Sequence, residues 1–352
     1  MRVDIAIHGA GPVGCVLALA LHGSGRSIVL LGKAISSARQ AFRPIALSHA
    51  SRLILERVGA WRALAPTPIE TIHVSRQGGI GRARLSAADA GVPALGYVTD
   101  YGSLLTCLFS LVENAGIQIE SGPRESLLAV HAEGSSSDAK EKSYQQEAVV
   151  ALVATDPAAA AVAYERFTPE GPLALLPLAG RYCAVWGMRP ERAQALFAAP
   201  DAEFLDALRR AFGRRAGVFT AVSERSSVPL ALRVRPLRVG AREAFVGNAA
   251  QALHPVAGQG LNLGLRDAWD LARVLRDAPD PGDAGVLARF AAARRCDAMA
   301  TVKVTDFLAG AFLGTNPLTG LIRGFGLTAL DSCRPARSFF ARRMIFGPSA
   351  MP

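Results

Sequence analysis

The sequence predicts an α/β fold in which one unit opens the chain, gives way to a smaller inserted domain, and resumes near residue 241 before a helical C-terminus. Three observations predict it. A strand–helix–strand pattern covers Val3 to Leu31, with glycines at its first turn. A second glycine-rich junction follows the apolar stretch Ala244-Phe245-Val246 and precedes a helical pattern from Leu261 to Leu275. Between them, short strand-like runs alternate with helical stretches.

Val3 to His8 is a short apolar run stopped by a turn signal, which suits a strand covered on both faces. Gly9-Ala10-Gly11-Pro12-Val13-Gly14 follows, then an Ala/Leu-rich helix to about His22 and a second strand, Ser27 to Leu31. This is G-x-G-x-x-G in a Rossmann-type context. The first glycine makes the turn, the second lets a pyrophosphate approach, and the third lets helix and strand pack. Dinucleotide binding is the expectation. The fingerprint also wants an acid at the end of the second strand, to hold a ribose hydroxyl, but that place is Gly32, followed by Lys33. The missing charged hydrogen bond is worth roughly 1.5–3 kcal/mol. Lys33 could instead meet a 2′-phosphate, or be a plain surface charge.

A polar segment, Lys33 to Gln40, leads to Arg43, and helical periodicity covers about Ser48 to Leu64. Ile69 to Val74 is strand-like, with a turn at Gly78-Gly79. Tyr101 to Ala115 reads as a helix with Leu104, Leu105, Leu108 and Leu111 on one side, followed by strands at Ile117 to Ile119 and Leu127 to Val130. Ala132-Glu133-Gly134 reads as a hairpin turn, and Glu133 to Gln146 as a polar, Ser-rich loop. Ala148 to Val153, Leu173 to Leu176 and Cys183 to Trp186 read as strands, and Asp201 to Phe212 as a helix.

The late run, Gly247-Asn248-Ala249-Ala250-Gln251 through His254, Pro255, Gly258-Gln259-Gly260-Leu261-Asn262 to Arg266-Asp267, crowds small residues where a strand turns into a helix. Such a junction lets backbone amides approach a bound group closely. The helix adds a partial positive charge at its N-terminus, so a buried, electron-rich ligand edge is the natural occupant.

Together the two clusters resemble the single-component FAD-dependent aromatic hydroxylases, most closely the ubiquinone-biosynthesis branch, the 2-octaprenyl-6-methoxyphenol hydroxylases. The resemblance is carried by the N-terminal GAGPVG, by Arg43-Pro44-Ile45-Ala46-Leu47-Ser48, by the segment from Tyr164-Glu165-Arg166-Phe167 to Pro177, and by the late run. Most relatives have Asp where this chain has Asn248. The resemblance implies a Rossmann-type FAD-binding domain (residues 1–157 and 241–352) with an inserted, shortened α+β substrate domain (158–240) and a helical C-terminus. It implies that Gly9, Gly11 and Gly14 seat the FAD pyrophosphate and that Arg43 lies beside the phosphates or the flavin. Gly247 and Asn248 would meet the ribityl–pyrophosphate region, and Pro255 would pack near the ring. Gly258, Gln259, Gly260, Leu261 and Asn262 would offer amides to the pyrimidine edge. None of the matched motifs contains an obvious acid–base residue, and His254 reads as packing.

Relatives carry a third motif, Ala-Asp-Gly, just after an apolar strand. The best match here is Ala154-Thr155-Asp156-Pro157, where Pro replaces the glycine and cannot make the same turn; an alternative match, Ala132-Glu133-Gly134, reads better as a hairpin turn. Only Ala158 to Ala163 then separates Asp156 from Tyr164, where relatives place several strands, so part of the substrate sheet is expected to be absent.

The chain has 352 residues, half of them apolar, enough to bury a sizeable core. Cys15, Cys107, Cys183, Cys296 and Cys333 are scattered without CxxC spacing, which suggests a reducing compartment and no metal site. The net charge is +10, with Arg323, Arg334, Arg337, Arg342 and Arg343 late in the chain among Leu321, Ile322, Phe325, Phe339, Phe340 and Ile345. A basic amphipathic tail fits an anionic membrane surface; the same pattern fits a helix with its apolar side in the core. No nucleic-acid reader motif appears. The expectation is a cytoplasmic protein, peripheral at the inner face of the membrane.

The resemblance implies a monooxygenase that takes electrons from NAD(P)H, bound transiently because the chain has one dinucleotide fingerprint, or from another donor, and inserts oxygen from O₂ into a polyprenylated phenol, within a ubiquinone-biosynthesis complex. Two other readings stand beside it. One is a flavin-poor interaction subunit of a quinone-synthesis assembly. The other is a hydroxylase of a small aromatic acid, with a carboxylate clamp drawn from Arg166, Arg181 and Arg233.

Overall fold

The computed structural model describes residues 2–32, 42–79, 81–134, 139–253, 258–311 and 326–347. Three sheets organise them. The first contains β1 (Val3–His8), β2 (Ile28–Leu31), β8 (Gln118–Glu120), β9 (Ser126–His131), β15 (Val239–Gly240) and β16 (Glu243–Phe245), in the order β15-β16-β9-β1-β2-β8. Strands β16, β9, β1, β2 and β8 run parallel, and β15 adds an antiparallel edge. Helices α1 (Pro12–Leu21), α4 (Tyr101–Asn114), α7 (Gln259–Arg276) and α8 (Ala284–Ala311) cover it. Ile5, Leu17, Leu108, Leu271 and Phe290, all fully buried, belong to this core.

A second sheet of eight strands holds β5 (Thr71–Arg76), β6 (Arg82–Ser86), β10 (Lys140–Asp156), β11 (Val162–Phe167), β12 (Pro172–Leu178), β13 (Arg181–Met188), β14 (Val218–Val234) and β17 (Gln251–Ala252). One face packs against α5 (Pro190–Ala198) and α6 (Asp201–Phe212), where Phe204, Phe219 and Trp186 are buried. A small sheet of β3 (Pro44–Ser48), β7 (Gly96–Asp100) and β4 (Thr67–Ile69) bridges the other two. Its Val98 and Ile69 meet Ile72, Ala163, Leu176 and Leu178 of the large sheet.

Several expectations are corrected. The helix from Ser48 stops at Arg57 (α2, His49–Arg57), because the chain reverses through Gly59 at φ +81° and resumes as a 3-10 turn, Trp61–Ala63. The strand expected from Ile69 divides at Glu70, its first part in the small sheet and its second in the large one. Ala132-Glu133-Gly134 does not close a hairpin, since β9 pairs in parallel with β1 whereas β10 pairs with β13 and β14. The polar segment expected to be a loop becomes strand at Lys140, where it pairs with Val234 and the residues before it.

Asp156 ends β10 inside the large sheet, opposite Val218. The expectation of missing strands between Asp156 and Tyr164 supposes that Asp156 belongs to the nucleotide unit. It belongs with β11 in one eight-stranded sheet, which also draws β5 and β6 from early in the chain.

At the C-terminus, helical residues 326–332 (α9) lead to α10 (Arg334–Phe346). Ala341 and Ile345 are buried against Leu85, Ala90 and Leu95 next to α3 (Ala87–Ala90). Arg337 pairs with Asp89 at 3.3 Å, and the Arg342 Nε–H donates to the Ala90 carbonyl at 3.2 Å. Here the basic tail has its apolar side in the core, with Phe339 left 68% exposed. Lys33, His254, Pro255 and the basic-apolar residues 321–325 lie outside the described residues. No helix of the described residues is long and apolar enough to cross a membrane.

Candidate functional site

The parallel strands β1, β9 and β16 end at one edge of the first sheet. Gly9 follows β1, Ala132-Glu133-Gly134 follows β9, and Gly247 follows β16. Clusters at opposite ends of the sequence therefore sit one strand apart, roughly 10 Å at ordinary strand spacing.

The glycines there do different work. Gly9 has φ +117°, and an added Cβ would lie 2.6 Å from Glu133 Cγ. A Cβ at Gly14 would overlap the Gly9 carbonyl oxygen, so the β1–α1 turn closes only without a side chain. Gly247 and Gly264 both close on Val13, where a Cβ would come within 3.1 and 2.8 Å of its Cγ2; this brings α1, α7 and the late loop together. Gly11 and Gly260 are different. A Cβ at Gly11 would meet nothing nearer than Tyr101 Oη at 3.6 Å, and around Gly260 there is nothing within 4 Å.

Gly11 and Gly258 are the N-caps of α1 and α7, and neither helix has a side-chain cap or an acid in its first turn. Their first amides have no partner within the helix, and both dipoles present their positive ends. Such termini suit a pyrophosphate or the electron-rich edge of a ring.

Asn262 is buried, and its side chain is fully engaged. Its Oδ1 accepts from the Ser48 N–H and the Ser51 hydroxyl, each at 2.7 Å. Its Nδ2 donates to the Ala46 carbonyl at 2.9 Å and the Gly258 carbonyl at 2.7 Å. The residue clasps β3 and α2 to the first turn of α7, so only its backbone is left for a ligand. Arg43, exposed, lies over the Tyr101 ring at 4.9 Å, and the Tyr101 hydroxyl reaches toward Gly11. Asp100 holds this corner, accepting from the Ser103 N–H as cap of α4 and from the Arg43 N–H. Asn248 is exposed in the 3-10 turn Gly247–Ala249, Gln259 is buried, and Gly260 and Leu261 are partly buried.

Beneath the late loop lies a buried ionic network that sequence reasoning missed. Asp267 Oδ2 accepts from Gln251 Nε2 at 2.8 Å, Arg238 Nη1 at 3.1 Å and the Gly247 N–H at 3.4 Å. Its Oδ1 accepts from Arg294 Nε at 2.7 Å. Arg294 also reaches Asp270 at 2.8 Å and Asp297 at 2.5 Å, and Asp297 binds Arg266 at 2.8 Å. Burial pushes the Asp267 carboxyl up, but Arg294 and Arg238 outweigh it and hold it below the usual carboxylate range. The Arg-Asp pair of the late motif is thus structural, fixing the loop from below.

The third motif is also relocated. Asp156 stands in the large sheet, away from the glycine edge. Ala132-Glu133-Gly134 follows the apolar strand β9 and rests against Gly9, with the Ala132 N–H donating to the His8 carbonyl at 2.8 Å. Its acid is Glu, one methylene longer than the Asp of relatives. The signal was an A-x-G after an apolar run; what hid it was the partner of that run, which local sequence does not encode. Gly32 has a steric cause, since a Cβ there would lie 2.5 Å from Ala10 Cβ. The three arginines weighed as a carboxylate clamp do not converge. Arg166 lines a cleft at the outer end of the large sheet, Arg233 pairs with Glu141 at 3.0 Å, and Arg181 is exposed at the start of β13.

A family model described as FAD binding domain matches residues 126–305, beginning at the first residue of β9. The ubiquinone hydroxylase UbiL of Rhodospirillum rubrum is 32% identical over 380 residues, covering 96% of this chain and 88% of that protein. The 3-demethoxyubiquinol 3-hydroxylase of Escherichia coli is 27% identical, covering 93% and 94%. Both alignments run longer than this chain, so these relatives carry internal residues that it lacks. Among solved structures, p-nitrophenol 4-monooxygenase PnpA of Pseudomonas putida superposes with a TM-score of 0.76 at 16% identity, covering 97% and 96%. HpxO of Klebsiella pneumoniae, solved as a complex with FAD, superposes with a TM-score of 0.73 at 16% identity, covering 97% and 99%.

Proposed function

We propose that this chain, which belongs to the FAD-dependent aromatic hydroxylases and within them to the ubiquinone-biosynthesis branch, hydroxylates a polyprenylated phenol. It is a FAD-dependent aromatic monooxygenase. The observation that carries the reading of the site is the meeting of two uncapped helix N-termini, of α1 and α7, through Val13, Gly247 and Gly264.

These residues fit FAD, because the open space at Gly11 and Gly260 is the space that a Cβ would otherwise occupy. In this reading Gly9, Gly11 and Gly14 form the pyrophosphate turn, with Glu133 behind Gly9 and Arg43 beside the phosphates on its Tyr101 platform. Asn248 reaches the ribityl–pyrophosphate region from the exposed side of its turn. The amides of Gly258 to Asn262 would hold the pyrimidine edge of the ring. Bound FAD supplies the redox chemistry, accepting electrons from a donor and activating O₂ for transfer to an electron-rich ring. The chain's own part is to hold the ring edge with fixed dipoles, which need no rearrangement as negative charge develops there. NAD(P)H is the donor in this reading. The protein works peripherally at the inner face of the membrane, where a prenylated substrate resides, and within a ubiquinone-biosynthesis complex.

The site is tested by Gly260→Ala. Replacing glycine with alanine near a helix start stabilises by up to about 1 kcal/mol. If the ring edge lies over Gly260, the variant should melt no lower than the parent without cofactor yet bind FAD at least tenfold more weakly. Unchanged FAD affinity would remove the α7 terminus from the site. The substrate is tested by mass spectrometry of products formed from prenylated phenols, NADPH and O₂. Turnover of small carboxylated aromatics, with none of prenylated phenols, would overturn that part.

A further inference from the structure

We propose that a cleft at the outer end of the large sheet is a second ligand site, one that takes a phosphate-bearing anion. The cleft has a volume of about 530 Å³ and is lined by Arg76, Arg82, Arg166 and Arg215, with one acid, Asp331. It is far from the glycine edge. The chain leaves the small sheet at Glu70, β5 runs alongside β11 in parallel, and the cleft opens where Ser75 and Arg76 stand beside Arg166 and Phe167. That end is on the order of 15 Å along the strand from the small sheet.

None of the four guanidiniums pairs with a carboxylate among the described residues, although many arginines elsewhere do. Two are nevertheless held in place. Arg166 donates from Nε to the Ala211 carbonyl at 3.0 Å and from Nη1 to Ser75 Oγ at 3.3 Å. Arg215 Nη1 lies 2.8 Å from His73 Nε2. Burial together with Arg215 and Arg82 disfavours protonation of His73, so the ring accepts this bond as a neutral imidazole. Asp331 does not discharge the cluster, and one of its oxygens already accepts the Arg84 N–H at 2.8 Å. Burial and Arg215 also lower the pKa of Arg166, a sign of like charges crowded without a counter-charge.

Fixed, unneutralised guanidiniums facing one space are what anion recognition needs. Their mutual repulsion is relieved by the ligand, and their planar donors match phosphate oxygens. A monocarboxylate would offset one of four charges; a group with two or more negative charges and several acceptor oxygens suits the cluster better. The phosphate can belong to a soluble diphosphate or to a phospholipid headgroup.

The test uses the FAD-loaded full chain. Sodium pyrophosphate is titrated by calorimetry, and co-sedimentation is measured with phosphatidylcholine vesicles with and without phosphatidylglycerol. The parent should bind at least one probe saturably. Arg76→Gln combined with Arg215→Gln, and separately Arg82→Gln at its exposed position, should weaken that binding tenfold or more while the flavin spectrum stays unchanged. Arg214→Gln, next to the cleft but outside its lining, should leave binding within twofold. Pyrophosphate binding alone assigns the site to a soluble phosphate, and vesicle binding that needs phosphatidylglycerol assigns it to a headgroup. Failure of both probes, or an equal loss in Arg214→Gln, overturns the proposal.

Discussion

Glu165→Gln should stabilise this protein at alkaline pH and leave it nearly unchanged in acid. Glu165 lies mid-way along β11, between Val74 of β5 and Ala174 of β12. Its neighbours Tyr164 and Arg166 reach the α6 side, where Tyr164 packs on Phe212 and Arg166 binds the Ala211 carbonyl. Strand alternation puts Glu165 on the other face, with Ala163, which packs against Val98. Its Oε1 is shut off from solvent with no hydrogen-bond partner among the described residues. Burial therefore pushes the carboxyl from its ordinary 4.5 up to about 7.

The sign of the effect follows from the raised value. Below pH 4.5 the group is protonated in both folded and unfolded chains and costs nothing extra. Between 4.5 and about 7 the unfolded chain ionises first, so stability falls as pH rises, and above 7 the loss is complete. At about 1.4 kcal/mol per pH unit the ceiling is roughly 3 kcal/mol, or on the order of 5 °C in Tm for a chain of this size. Thermal melts of parent and variant with excess FAD at pH 5 and pH 8.5 measure it. A difference equal at the two pH values, or a variant that melts lower at pH 8.5, would refute the reasoning.

Two further outcomes follow from contacts already described. Gly32→Asp supplies the acid that the nucleotide fingerprint wants, but its Cβ lies 2.5 Å from Ala10 Cβ. It should lose about 1–3 kcal/mol of stability to overpacking and gain no FAD affinity, which chemical denaturation and a flavin titration check together. Arg294→Met takes from Asp267 and Asp297 the buried cation they share and leaves each with one cationic partner, Arg238 and Arg266 respectively. Removing one partner of such a network costs about 3–5 kcal/mol. Since Asp267 also accepts the Gly247 N–H, the variant should shed flavin at denaturant concentrations below its global unfolding; coincident loss of flavin and fold would separate the network from the loop.

What the sequence disclosed, it disclosed where local pattern and tertiary role coincide. Val3–His8 and the glycines after it could be read because the same residues make the strand, the turn and the helix contact. The α7 stretch was legible for the same reason. β14 was not, because its seventeen residues include Ser226, Ser227 and Pro229 and much of its surface is exposed, leaving no clean alternation. The Ala-x-Gly motif after β9 was misassigned because nothing local tells a strand whether its partner runs parallel or antiparallel. The hub on Arg294 could not be read either. Asp297 is one helical turn away, but Arg238 and Asp267 reach it from sequence separations that no motif fixes. The arginines of the outer cleft look like ordinary surface charge until β5, β6, β11 and Arg215, three residues beyond α6, are brought to one place.

The hub also sets an order of events during synthesis. The loop after β16 leaves the ribosome more than two hundred residues after the first glycine turn. The anchoring of that loop is complete only when Arg294 has been made, because Asp267 divides its charge between Arg294 and the earlier Arg238. Loading with cofactor therefore waits for α8, and a chain that stalls before Arg294 carries every glycine of the pocket yet lacks the cation at the centre of their brace.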